Sequence, residues 1–165
     1  MGALGDKLRD AQTIGLDSAV FIYHFEAHPR YKTLCAEVFD CMESGTVQAV
    51  TSTVTLIEVL VQPLAKGEQE LSVRYEQYLR LGSFLTLRTL DPTMAWHAAQ
   101  LRARYQLSTP DAVQPATAIE FGVRLFLTND DRIRKVTEID IVVLERWWQE
   151  HMSPPTDNDE NSLKA

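Results

Sequence analysis

Strands alternating with amphipathic helices predict an α/β protein, three-layer α/β/α with a mainly parallel central sheet. Three observations carry that expectation. Short apolar runs bounded by polar or turn residues recur at 12–18, 46–52, 83–90, 123–128 and 139–145. Between them, apolar residues return every three or four positions, the period of a helix with one buried face. The chain has 165 residues, 45% hydrophobic and 24% charged, which suits one domain with a full core.

The elements follow in order. QTIGLDS (12–18) reads as a short buried strand ending at Asp17. A helical or irregular segment begins at Ala19 and is closed by Pro29. Over 30–45, Tyr31, Leu34, Cys35, Val38, Phe39 and Met42 fall at helical spacing, and Gly45 supplies the stop. After the strand at 46–52, Ser52 or Thr53 can cap a helix over 54–67 that Pro63 ends or kinks. Residues 68–82 form another amphipathic helix, and 83–90 alternates like a strand. Asp91-Pro92 pairs a capping acid with proline at the first helical position. In the helix over 108–122, Thr109 caps, Pro110 fits the first turn and Gly122 ends it; Pro115 should kink it. The strand 123–128 runs into Asn129-Asp130-Asp131 and a short basic segment, and 139–145 is the last strand before one helical turn over Arg146–Glu150. Residues 1–150 are thus expected to form a single domain, and the Pro-, Asp- and Asn-rich stretch 151–165 an acidic, disordered tail.

Composition narrows the function. A net charge of −7 argues against a protein that binds nucleic acid by bulk attraction, so any phosphate handling needs local positive charge, a cation or a basic partner. No apolar run approaches the ~20 residues of a membrane span, and the acidic N-terminus does not read as a signal peptide. A cytoplasmic protein is expected. Cys35 and Cys41, six apart on different helix faces, read as half-buried structural thiols rather than a zinc site. His24, His28, His97 and His151 show no ligand spacing.

The carboxylates are more informative. In doubly wound sheets, ligands bind beyond the carboxyl ends of the strands, where strand order reverses. Asp17 ends the first strand, and Asp130 and Asp131 follow a later one. Asp111 opens a helix. Glu58 stands among Leu56, Ile57, Val59, Leu60 and Val61. Singly, each reads as a cap, a turn residue or a solvated helix position. Jointly, they can meet at one edge of the sheet, where their mutual repulsion calls for a divalent cation. Oxygen ligands without histidine or cysteine select Mg²⁺ or Mn²⁺.

IGLDSAVFIYHFE, TSTVTLIEVL, LSTPDAVQPATAIEFGVRLFLTNDDRI and the closing IDIVVL together resemble PIN-domain nucleases, most nearly the VapC-like toxins of toxin–antitoxin pairs. The pattern matches at Asp17-Ser18, at Glu58, at Thr109-Pro110-Asp111-Ala112 and at Thr128-Asn129-Asp130, covering roughly residues 12–145. The resemblance implies a PIN-like fold and a Mg²⁺- or Mn²⁺-dependent endoribonuclease. Asp17, Asp111 and Asp130 would hold the metal, and Glu58 would orient water or complete the shell. The metal would polarise the scissile phosphate for in-line attack and leave a 5′-phosphate and a 3′-hydroxyl. Ser18, Thr128 and Asn129 are candidates to tune the carboxylates. Asp131 is a second-metal candidate or a cap over Arg132–Lys135. Arg132, Arg134 and Lys135, with Arg102 and Arg104 behind them, are candidate phosphate contacts. The resemblance also implies an RNA substrate, a cognate antitoxin and a homodimer, for which the apolar faces over 30–45 and 53–65 could pair. Gln114-Pro115 departs from the pattern, where apolar helix residues are usual. A PIN-like scaffold without activity is the alternative, and a receiver-like phosphoryl-transfer domain ranks below it for want of a second acid after the first strand.

Overall fold

The structure, a computed structural model, describes residues 2–152. Five strands, β1 (Thr13–Leu16), β2 (Gln48–Ser52), β3 (Leu85–Arg88), β4 (Leu125–Thr128) and β5 (Asp140–Val143), form one sheet in the order β3-β2-β1-β4-β5. Every neighbouring pair is parallel. The expected mainly parallel sheet is wholly so. Strand order reverses at β1, between β2 and β4, which makes its carboxyl end the topological switch point.

Parallel strands need crossovers: α2 (Ser18–Phe25) and α3 (Lys32–Glu43) join β1 to β2, α4 (Thr53–Ala65) and α5 (Gln69–Leu81) join β2 to β3, α6 (Pro92–Tyr105) and α7 (Thr109–Glu120) join β3 to β4, and a short 3-10 turn over Ile133–Lys135 joins β4 to β5, while α1 (Ala3–Ala11) precedes the sheet and α8 (Leu144–His151) follows it. The period of two along each strand divides the core between two faces. Ile14, Leu16, Leu125 and Leu127 pack with Leu4 and Leu8 of α1, Phe21 of α2 and Phe39 of α3. Val50 and Phe126 pack on the other side with Leu101 of α6 and Val113 and Ala116 of α7. Gly15 lets α7 lie close to the sheet, because a Cβ there would stand 2.6 Å from both Ala118 Cβ and Phe126 Cδ2.

Several expectations need correction. The amino-terminal segment, with no assignment from sequence, is helix α1; its Gly2 and Gly5 amides donate to Glu37 Oε1 at 2.6 and 3.0 Å. The cap of α7 is Ser108, not Thr109, since Ser108 Oγ accepts from the Asp111 amide. Pro63 does not end its helix, since α4 runs to Ala65, and α7 continues past Pro115 to Glu120. In α7 the buried run Ala112–Ala118 is held on both sides, and that packing outweighs the ~3 kcal/mol propensity cost of an interior proline. Cys35 and Cys41 are buried, not half-buried, free thiols. The apolar face of α3 is spent on the core, with Leu34, Cys35, Val38, Phe39 and Met42 all buried, so it offers nothing to a second subunit. The face of α4 differs: Ile57, Val61 and Leu64 are 69%, 60% and 50% exposed. α8 extends through His151, two turns rather than one. The expected disorder of the tail concerns 153–165, outside the described residues. Among the described residues, no helix is long and apolar enough to cross a membrane.

Candidate active site

Asp17 follows β1 directly. Its amide donates to Leu127 O at 2.9 Å, continuing the parallel ladder one residue past the strand. Its side chain caps α2, with Oδ1 accepting from the Ser18 amide at 2.8 Å. Oδ2 accepts from Thr128 Oγ1 at 2.6 Å, from the end of the neighbouring strand β4. Only 8% exposed, Asp17 loses most of its hydration, and this burial pushes its pKa up to about 6 despite the Thr128 bond; the charges of Glu58 and Asp111 add to the rise.

Glu58 enters from α4, one and a half turns beyond the Ser52 cap. The helical turn that carries it turns Ile57 outward and buries Val59, leaving Glu58 part-buried at the mouth of the cleft. A buried polar chain registers α4 against α7. Ser52 Oγ donates to Gln114 Oε1 at 3.0 Å, and Gln114 Nε2 donates to Thr55 Oγ1 at 2.7 Å. Thr55 and Thr51 hydroxyls are 2.7 Å apart, and Thr51 Oγ1 donates to Leu16 O at 2.8 Å. With its one hydrogen committed to Leu16, Thr51 accepts from Thr55. Gln114, 1% exposed, thereby links the helix of Asp111, the helix of Glu58 and the residue before Asp17.

Asp111 lies in the first turn of α7, where Ser108 Oγ donates to its Oδ2 at 2.6 Å. Asp130 sits two residues past β4, its amide donating to Thr128 Oγ1 at 3.0 Å. Thr128 thus fixes Asp17 through its hydroxyl hydrogen and Asp130 through its oxygen. The four acids line one cleft of about 350 Å³ with Ser18, Tyr23, Gln114, Asn129 and Arg132. All four expected site residues, Asp17, Glu58, Asp111 and Asp130, come together.

Arg132 dominates the open side of the cleft. Its Nε lies 3.1 Å from both oxygens of Asp130, and its Nη2 lies 2.6 Å from Asp130 Oδ2 and 3.2 Å from Asp111 Oδ2. This guanidinium holds the Asp130 carboxyl below its ordinary pKa. Asp130 Oδ1 also accepts from the Arg132 amide at 2.9 Å, the capping bond that the sequence suggested for Asp131. Asp131 instead pairs with Arg146 and, at 3.2 Å, with Arg134; Arg146 is the first cause of its lowered pKa. Asn129 touches none of the acids: it donates to Tyr23 Oη at 3.0 Å and accepts from the Glu145 amide at 2.8 Å, pinning the loop instead. Arg102 and Arg104 bond Leu107 O and Glu138, away from the cleft.

Among the described residues, no three acid, histidine or cysteine side chains converge tightly enough to hold a metal ion as they stand. The donor set nonetheless fits a hard divalent cation in chemistry: five carboxylates, since Asp131 also lines the cleft, no histidine or cysteine, and a guanidinium already bridging two of the acids as a positive stand-in. Sequence reasoning missed Gln114 as a link and Arg132 as a bridge. The signal for Gln114 was present as an amide where helix spacing calls for an apolar residue.

A wholly parallel sheet with acids gathered beyond the carboxyl end of its switch-point strand defines a doubly wound α/β protein with an acidic site. The PIN domain model matches residues 14–139, and the chain belongs to that family. No curated protein matches it. Among solved structures, a toxin–antitoxin complex from Klebsiella pneumoniae is 20% identical with a TM-score of 0.59, covering 80% of this chain and 97% of that chain. VapBC2 from Rickettsia felis, bound to a DNA fragment from its promoter, is 14% identical with a TM-score of 0.62 over 79% of this chain and 97% of that one. VapC20 from Mycobacterium tuberculosis, a Sarcin-Ricin loop cleaving toxin, is 15% identical with a TM-score of 0.61 over 77% and 98%. At these identities the likeness concerns the fold.

Proposed function

We propose that this protein is a Mg²⁺- or Mn²⁺-dependent endoribonuclease, the toxin of a toxin–antitoxin pair. The observation that carries the reading is the meeting of Asp17, Glu58, Asp111 and Asp130, from four separate elements, in one cleft at the switch point. Asp17, Asp111 and Asp130 are the residues that would hold the cation. Bound there, it would neutralise charge at the scissile phosphate and acidify the attacking water. The chain's own groups do the positioning. Thr128 and the Ser18 amide fix the two oxygens of Asp17. The Gln114 chain sets α4 and α7, and Glu58 would accept a hydrogen bond from water and align it for in-line attack, leaving a 5′-phosphate and a 3′-hydroxyl.

The structural neighbours, among them a Sarcin-Ricin loop cleaving toxin and toxin–antitoxin complexes, support an RNA substrate and an antitoxin partner. The exposed stripe Ile57, Val61 and Leu64 on α4 supports burial against another chain, and we include a homodimer and a cytoplasmic location in the proposal. A catalytically inactive PIN-like scaffold is the second reading, favoured by the Arg132 guanidinium lying across Asp111 and Asp130 and by the lack, among the described residues, of three side chains close enough to hold a metal. Incubation with single-stranded RNA separates the two. Cleavage should appear with Mg²⁺ or Mn²⁺, stop with chelator, and fall by orders of magnitude in Asp111→Asn. RNA that is bound but never cut with either metal would favour the scaffold.

A further inference from the structure

From the bridge across the cleft we infer that Arg132 is an intramolecular counter-ion standing in the cation position between Asp111 and Asp130, that metal and guanidinium exclude one another there, and that the displaced guanidinium becomes a ligand for a substrate phosphate. The inference rests on the proposed metal-dependent reading and adds a role for a residue of this chain.

Three observations support it. The bridge is specific: one Nη2 reaches Oδ2 of both acids, at 2.6 and 3.2 Å, while Nε spans the two oxygens of Asp130 at 3.1 Å. The guanidinium thus takes oxygens of two of the three acids that would hold a cation. The two acids it joins share the cleft with Asp17 and Glu58, the set proposed to handle the cation. And the arginine is free to leave. Its side chain is 66% exposed, against 21% for Asp111 and 23% for Asp130, so the carboxylates belong to the site and the guanidinium is an arm laid across it from outside. The neighbouring arginines do not share this arrangement, because Asp131 engages both Arg134 and Arg146.

The exchange follows from charge and shape. A planar guanidinium with a fixed fork of donors suits a carboxylate and a phosphate equally well. A divalent ion brings twice the charge to the same oxygens and is the stronger partner for them. Once the carboxylates are committed to a cation, Arg132 keeps its place at the mouth of the cleft but loses its anionic partners. The anion that replaces them, where RNA enters, is a backbone phosphate.

Mn²⁺ affinity measured by the electron paramagnetic resonance of free Mn²⁺, with no RNA present, tests the first half. Arg132→Gln should bind Mn²⁺ roughly fivefold more tightly than wild type, the scale of losing one competing, partly exposed ion pair. Arg132→Lys, a charge without the fork, should fall between. The metal-free melting temperature of Arg132→Gln should drop while its Mn²⁺-induced rise grows. Equal or weaker Mn²⁺ binding in Arg132→Gln, with wild type binding normally, overturns the inference and leaves the metal reading standing. No Mn²⁺ binding by either protein overturns both. For the second half, cleavage at saturating Mn²⁺ should show Arg132→Gln with a raised KM for RNA; an unchanged KM removes the phosphate role.

Discussion

Asp17 and Asp130 carry the same side chain past the ends of adjacent parallel strands, yet they meet opposite surroundings. Asp17 is buried, held by a hydroxyl and an amide, and its pKa rises to about 6 because neutral dipoles replace water only in part. Asp130 is partly open, and the Arg132 guanidinium drives its pKa down. Thr128 touches both, so the two environments lie one residue's reach apart. One acidic cleft thus holds two solutions for a carboxylate: the exposed one is neutralised by an arginine from its own chain, and the buried one tolerates its charge poorly.

The sharpest way to break this comparison is to remove each acid's charge. Asp130→Asn and Asp17→Asn should each lower RNA cleavage by several orders of magnitude, the several kcal/mol of transition-state stabilisation that a ligand to a catalytic metal supplies. Substantial residual cleavage in either would show that its carboxylate is not part of the reacting centre.

The two halves should also separate by pH in metal-free protein. For Asp17 the folded pKa of about 6 lies above the ordinary 3.8, so its contribution to stability is complete below about pH 4 and is lost as pH rises through about 6. The difference in unfolding free energy between wild type and Asp17→Asn should therefore fall across that window by on the order of 2–3 kcal/mol. Asp130 has a lowered pKa, so its contribution has the opposite sign and is lost only as pH falls through acid values. A flat wild-type-minus-Asp17→Asn curve from urea melts would show that Asp17 is better solvated than its burial implies.

A smaller effect is expected from the polar chain beneath the site. Gln114→Leu leaves Ser52 and Thr55 hydroxyls without their amide partner inside the protein, a loss of about 1–3 kcal/mol in denaturant melts. Cleavage should fall further than stability explains, because α4 and α7 lose their common register. The smallest effect belongs to Asp131→Asn. Its carboxylate is exposed and answers to Arg134 and Arg146 rather than to the cleft acids, so kcat should stay near wild type with a slight drop in melting temperature. A loss of cleavage matching Asp130→Asn would move Asp131 into the reacting centre.

Much of this protein could be read from its residues in order. Strand and helix periodicity, the Asp91-Pro92 start and the glycine at 45 are local signals, and the structure repeats the order of elements after α1, with strands trimmed by up to two residues at an end. The four acids were visible because acids past strand ends and inside an apolar helix are chemically out of place, and the switch-point rule says where such positions meet. The local signals failed where distant contacts decide. Thr109 looked like the cap of α7, but Ser108 makes that bond to the Asp111 amide. The apolar stripe of α3 looked available for pairing, but α1 and the sheet consume it, while the similar stripe on α4 remains exposed. Asp131 looked like a cap because it precedes a helical segment; Asp130 makes that bond, since its carboxylate lies over the Arg132 amide.

The α/β class, the parallel sheet and the acids that meet in the cleft were legible in the chain alone, because they follow from periodicity along it and from residue chemistry. Only the tertiary structure decided which acid is buried and which is clasped. Burial, the Thr128 bridge between β1 and β4, the Gln114 chain between α4 and α7, and the reach of Arg132 to Asp111 all join residues far apart in sequence. Electrostatics at this site depends on distance in space, and no spacing along the chain encodes it.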